Sequence, residues 1–201
     1  MAKNRSRRDD NLRRQIAYRA ARLMAEEGIP DYGTAKQKAA RQAGLAEAAS
    51  LPDNREVEAP LREFQELYQS EEQPLELQHL REVALEVMRE LAPFRPFLVG
   101  AVLNGTANRF SEIALQVYTD DAKALMLFLV NRRRPFETDE KRVRIGDAWA
   151  MLPQMRFEVD GAPVVITVYG ESDERIAPRP RGEGDGPQRA RLAEAEALFG
   201  P

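Results

Sequence analysis

Along residues 77–118 the spacing of apolar side chains changes, and that change limits the folds open to this chain. Leu77, Leu80, Ala84, Val87, Met88 and Leu91 recur every three to four residues, the period that gathers side chains on one stripe of a helix. The stripe stops at Pro93, where a missing N–H and a fixed φ end a helix. From Phe97, "FLVGAVL" is a short apolar run, and "EIALQVY" alternates Ile113, Leu115 and Val117 with Glu112, Ala114 and Gln116. A two-residue period belongs to a strand with one buried face. A helical first half followed by strands predicts an α+β protein, a helical N-terminal region leading into a mixed sheet with flanking helices.

The same reading extends in both directions. Leu12, Ile16, Ala20, Leu23 and Met24 predict a first helix, stopped by Gly28 and Pro30. Thr34 is the expected cap of a second helix that runs to about Ala43, with Gly44 behind it. A third over 56–69 is expected to bury Val57, Leu61, Phe64 and Leu67 or Tyr68. Downstream, 119–135 reads as a helix with Asp120 and Asp121 at its positive end and Arg132, Arg133 and Arg134 at its negative end. Strands are expected at about 141–145, 155–159 and 163–169, the last two joined by a hairpin turn in "VDGAP". Residues 178–187, "PRPRGEGDGP", are too rich in Pro, Gly and charge to pack, which predicts a flexible linker to a short helix over 188–198. The implied organisation is a helical basic region over 1–92, an α+β domain over 93–177 and a tail over 178–201.

Composition removes several function classes. Apolar residues make up 43% of the 201-residue chain, enough for a packed core. No stretch approaches the roughly 18 consecutive apolar residues of a membrane span, and no apolar segment follows the charged start, so a cytoplasmic location without membrane contact is expected. The chain has no Cys and a single His, His79, which excludes disulfides, thiolate zinc sites, Cys nucleophiles and multi-His metal centres. Net charge is −3, but residues 1–41 carry eleven Lys and Arg against five acids. That local excess of six positive charges suits either a solvated helix face or an anionic partner such as RNA. Lys36, Lys38 and Arg41 are the candidate nucleic-acid contacts, with no recognition motif beside them.

The most informative stretch is "LVGAVLNGTANRFSEIALQVY", an apolar run broken by a Gly/Asn/Thr turn. Gly100-Ala101, then three residues, then Gly105-Thr106-Ala107, a short polar stretch and Ser111-Glu112-Ile113 resemble the nucleotidyltransferase superfamily, the polymerase-β-like fold, and bacterial members of it with a similar helical N-terminal part. Its members carry "GS", "GTA" and "SDIDL" at these spacings, and "TDDA" follows at a helix start here as in many of them. The resemblance covers about residues 77–169. It implies a nucleotide held by the Gly turn, with Gly100, Gly105, Thr106 and Ser111 as the candidate binding residues, and Mg²⁺ held by acids on the second strand.

The chemistry of such a site explains its residue types. Two carboxylates two positions apart on a strand share a face and together hold Mg²⁺; a third, from a neighbouring strand, completes a two-metal clamp on the triphosphate and the attacking hydroxyl. Glycines let backbone N–H groups approach phosphate without a Cβ in the way. In this chain Ala101 replaces the Ser, Glu112 is the first acid, Ala114 occupies the second metal position, and "PVVITVY" offers no third. Glu112 is thus either a relic metal ligand or a solvent-facing acid. Thr106 either donates to phosphate or ties the turn. His79 is expected at a surface or an interface. Arg132, Arg133 and Arg134 are either a phosphate clamp or partners of the helix dipole, and Trp149 is either a stacking platform for a base or a partly buried anchor. The implied function is a degenerate nucleotidyltransferase-like protein that binds a nucleotide or RNA. The alternatives are an active Mg²⁺-dependent nucleotidyltransferase with an RNA or protein acceptor, and a non-enzymatic scaffold for a protein partner.

Overall fold

The computed structural model describes residues 2–29, 31–44, 51–145, 148–175 and 189–199, with side chains for all of these except 2–9 and 144. The linker expected over 178–187 lies outside the described residues. The protein is α+β, and its contacts form two units: 1–76 with 108–111, and 77–107 with 112–201. The boundary lies ahead of the compositional break at 92, because the apolar stripe beyond Leu77 is buried in the second unit.

In the first unit, α1 (Ala2–Glu27), α2 (Tyr32–Gln42) and α3 (Asn54–Tyr68) bury Ile16, Ala17, Ala20, Ala21, Ala35, Ala39, Val57 and Leu61. The many alanines let α1 approach its neighbours closely. The cap of α2 is Asp31 instead of Thr34. The Asp31 Oδ1 accepts from both the Thr34 N–H at 2.7 Å and the Thr34 hydroxyl at 2.9 Å, so Thr34 stands at the third helical position, where the orphan N–H needs an oxygen from outside. In α3 a capping box joins Asp53 and Glu56. Its buried stripe is Val57, Leu61 and Gln65, whereas Leu67 and Tyr68 are 69% and 72% exposed. Steps of four residues carry the stripe to Gln65, and Tyr68 instead lies against the Phe64 ring, 4.6 Å between centroids.

The second unit takes in the main part of α4 (Glu72–Glu90), then β1 (Phe97–Val99), α5 (Ala101–Asn104), β2 (Ile113–Tyr118), α6 (Ala122–Asn131), β3 (Glu137–Ile145), β4 (Ala148–Val159), β5 (Ala162–Tyr169), β6 (Arg189–Ala190) and α7 (Leu192–Phe199). The sheet order is β3-β4-β5-β2-β1-β6, with β2 and β5 parallel and every other pair antiparallel. One face carries Leu98, Ile113, Leu115, Val117, Val164 and Ile166 and shares its core with Leu80, Val87 and Met88 of α4 and Leu125 and Leu129 of α6. The expected hairpin is present, with Asp160 and Gly161 at φ 49° and 79°, the pair of positive values that matches strand twist. The apolar run "FLVGAVL" is a strand only as far as Val99. Gly100, at φ 75° and ψ −151°, lies where side chains are excluded, and its turn sends Val102 and Leu103 into the core as α5. The helix over 122–131 is capped by Asp121, whose carboxylate accepts from the Ala124 N–H at 3.0 Å. No helix among the described residues is long and apolar enough to cross a membrane.

Candidate functional site

The turn between β1 and β2 folds onto itself. The Ala101 carbonyl accepts from the N–H groups of Gly105, Thr106 and Ala107 at 3.0, 3.0 and 3.1 Å, and the Gly100 carbonyl accepts from Asn104 at 3.0 Å. Gly105 closes α5 at φ 84°, a left-handed position that favours glycine. Thr106 is 3% exposed, and its hydroxyl and N–H both donate to the Asn104 Oδ1, at 2.7 and 3.1 Å. The structure therefore brings Gly100, Gly105 and Thr106 together, but with four successive N–H groups and the Thr106 hydroxyl aimed within the turn. Gly100 is the exposed member, and a Cβ added there would meet only the Ala114 Cβ, at 3.8 Å.

Ser111 belongs to a separate knot grouped with the first unit. Its Oγ accepts from the Asn108 N–H at 3.0 Å, while the Asn108 Oδ1 accepts from Phe110 N–H at 3.0 Å. These are local side-chain-to-backbone bonds of the kind that shape Asx turns.

Glu112 immediately precedes β2, on the sheet face opposite α4 and α6. The strand period places Ala114 and Gln116 on that face too, and the register sets Ala114 beside Val165, Val165 beside Arg156, and Gln116 beside Thr167, itself opposite Gln154. Arg156 Nη1 donates to Glu112 Oε2 at 2.9 Å and its Nη2 donates to Gln154 Oε1 at 3.3 Å. Gln154 Nε2 then donates to the Thr167 hydroxyl at 2.8 Å, fully buried. Farther along β2, Tyr118 donates to Gln116 Oε1 at 2.9 Å, Gln116 Nε2 donates to the Tyr169 hydroxyl at 3.4 Å, and Arg189 donates to the Tyr118 oxygen at 3.3 Å. The Tyr118 and Tyr169 rings stack at 5.1 Å. Burial pushes the Tyr169 phenol up to about 12, helped by Tyr118 and Asp173, and burial raises the Tyr118 phenol as well.

This donor set does not fit Mg²⁺. Glu112 is engaged by a guanidinium, Ala114 supplies no ligand, and among the described residues no group of three or more His, Asp or Glu side chains is placed to hold a metal ion. Mg²⁺ takes an octahedron of oxygens in which one or two protein carboxylates anchor the ion beside waters and substrate phosphates, and here the one candidate carboxylate is already paired.

The basic candidates divide. Lys36 donates to the Pro52 carbonyl and to Asn54 Oδ1, each at 2.9 Å, and desolvation lowers its pKa against the pull of Asp53, Asp31 and Glu56. It clamps the start of α3. Lys38 is ion-paired with Glu27. Arg41 is exposed, with its Nε directed at the Gln37 carbonyl at 3.4 Å. At the end of α6, Arg134 and Arg132 reach the two oxygens of Glu90 at 2.8 and 3.9 Å. His79 is exposed, with Nε2 3.2 Å from the Asp160 carbonyl. Trp149 is 60% exposed, with the Arg142 guanidinium 4.8 Å from its ring centroid.

Sequence reasoning missed Arg156, Gln154 and Thr167. The signal available was polar residues at alternate positions in otherwise apolar strands, "QMRF" and "VITVY", but without the strand order nothing ties them to Glu112. The chain matches no family model, no curated protein and no solved structure.

Proposed function

We propose that the sheet-bearing unit is a nucleotidyltransferase-like domain that binds an anionic ligand, a nucleotide or RNA, without transferring a nucleotidyl group. The observation that carries this reading is the 2.9 Å contact between Glu112 and Arg156. A guanidinium is a permanent cation, so it neutralises the one acid that a metal-dependent transferase would reserve for its ions, and Ala114 offers no replacement. One feature of the sheet-bearing unit supports the ligand: the backbone at Gly100 is exposed and nearly unobstructed.

Calorimetry with Mg-ATP and with an unstructured RNA tests binding, and incubation with labelled ATP and RNA or protein acceptors tests transfer. Heat from either ligand without incorporation is the expected result. Incorporation that Glu112→Gln abolishes would establish an active transferase instead. Silence from both ligands removes the reading and leaves the scaffold alternative, for which the first unit offers a groove of about 790 Å³ lined by Tyr18, Pro60, Phe64, Leu67 and Tyr68.

A further inference from the structure

The β3–β4 hairpin is longer than the sheet that holds it. Residues 154–156 of β4 pair with both β3 and β5, 157–159 pair with β5 alone, and 148–153 pair with β3 alone, so the distal half is a two-stranded ribbon. A ribbon of this kind has no third strand to cover it, and polar side chains are expected on both faces. Yet Trp149 and Met151 are 60% and 55% exposed there. In register Met151 stands opposite Arg142, and cross-strand partners share a face. The Arg142 guanidinium lies over the Trp149 ring at 4.8 Å, and among the described residues Arg142 and Lys141 have no carboxylate partner. Over 140–153 the sequence holds three cations and two acids.

We infer that this ribbon binds single-stranded nucleic acid by stacking a base on Trp149, with Arg142 beside the ring meeting the backbone phosphates. The inference rests on the proposed RNA-binding reading and gives that reading a site. An indole with a cation fixed on one side leaves its other π-face for a base, and stacking tolerates any base. Arg142, which has no carboxylate partner among the described residues, supplies the matching charge and makes the interaction salt-dependent. A second protein would be expected to meet a broader apolar patch than a single Trp–Met pair beside an arginine.

Trp149 is the chain's single tryptophan, so its fluorescence reports on this ribbon alone. The experiment titrates the full chain with a labelled oligouridylate and the equivalent oligothymidylate, and reads probe anisotropy and Trp149 emission together. Quenching with the same midpoint as the anisotropy rise, weakened by salt, is expected. Trp149→Ala and Arg142→Ala should each raise the Kd about tenfold, while Trp149→Phe retains most of the affinity. The circular dichroism of all three should match the parent, since both side chains are exposed. An anisotropy rise without quenching places the nucleic acid elsewhere and overturns the inference while leaving the RNA reading intact. No response to either oligomer overturns it as well, and Mg-ATP calorimetry then decides separately whether the domain binds a nucleotide. Emission that changes with protein concentration instead of oligomer assigns the ribbon to an interface between copies and overturns it too.

Discussion

Arg156 Nη1 sits 2.9 Å from Glu112 Oε2 on the sheet face opposite α4 and α6, with the two side chains 42% and 30% exposed. At that exposure the pair is screened, and its coupling should be about 1 kcal/mol or less. A double-mutant cycle of Glu112→Gln and Arg156→Met, read by urea unfolding, checks this. Mg²⁺ should leave the Tm of the parent and of Glu112→Gln equally unchanged. A rise in Tm with Mg²⁺ that Glu112→Gln removes would make the carboxylate a metal ligand after all.

Lys36 and Arg41 lie on one short helix and carry the same charge, but they should respond differently to truncation. Lys36 ties the start of α3 through Pro52 and Asn54. Removing it leaves the buried Pro52 carbonyl without that donor, at a cost of roughly 1–2 kcal/mol. Arg41→Ala should stay within about 0.5 kcal/mol. Thermal unfolding of the two variants compares them directly. Equal, negligible effects would return Lys36 to the pool of exposed cations open to an anionic ligand.

The contrast between those lysine and arginine positions shows where the sequence was legible. Periodicity located α1, α4, β2 and β5, since burying a stripe or a face is a local property of spacing. It placed the turn at Gly100 and Gly105, where positive φ favours glycine. It failed where a competing oxygen decided the outcome, as when Asp31 took the cap expected of Thr34, and where partner helices selected Gln65 over Tyr68 as the next buried position. The site was legible as residue types and not as pairings. Nothing in the chain order says that Arg156, 44 positions downstream, comes to rest on Glu112, because strand adjacency is a non-local outcome of folding.

Gly28 and Gly44 separate backbone strain from steric overlap. Both follow helices at nearly the same φ, 68° and 71°, so alanine at either should cost about 1–2 kcal/mol through the left-handed backbone. At Gly44 the added Cβ meets nothing within 4 Å, whereas at Gly28 it would lie 2.5 Å from the Phe110 ring. Gly28→Ala should therefore cost about 1–3 kcal/mol beyond Gly44→Ala, and the excess should disappear in a Phe110→Gly background, which removes the Phe110 Cβ, 2.8 Å from the added methyl, together with the ring. Chemical denaturation of the four variants reads it. A persistent excess in that background would mean that the contact with Phe110 is not its cause.

Tyr169 should make the protein sensitive to alkali. Its phenol is pushed up to about 12 from an ordinary value of 10.0, by burial first and then by the Tyr118 phenol and Asp173, while the donor from Gln116 Nε2 acts in the opposite direction. A folded-state pKa above the unfolded one means that the native state holds its proton more tightly. The corresponding stability is complete below about pH 10 and is lost as the pH rises towards about 12. Lysines and other tyrosines titrate in the same range, so the informative quantity is the difference between the parent and Tyr169→Phe, which has no proton to lose. Urea unfolding at a series of pH values should show the parent losing stability relative to Tyr169→Phe through that window, with both curves parallel below it. Spectrophotometric titration should find that one of the five tyrosines ionises late in the parent and that this late step is missing in the variant. Parallel stability curves throughout would place the Tyr169 hydroxyl in contact with water, and the Tyr118–Gln116–Tyr169 chain would then not be closed to solvent.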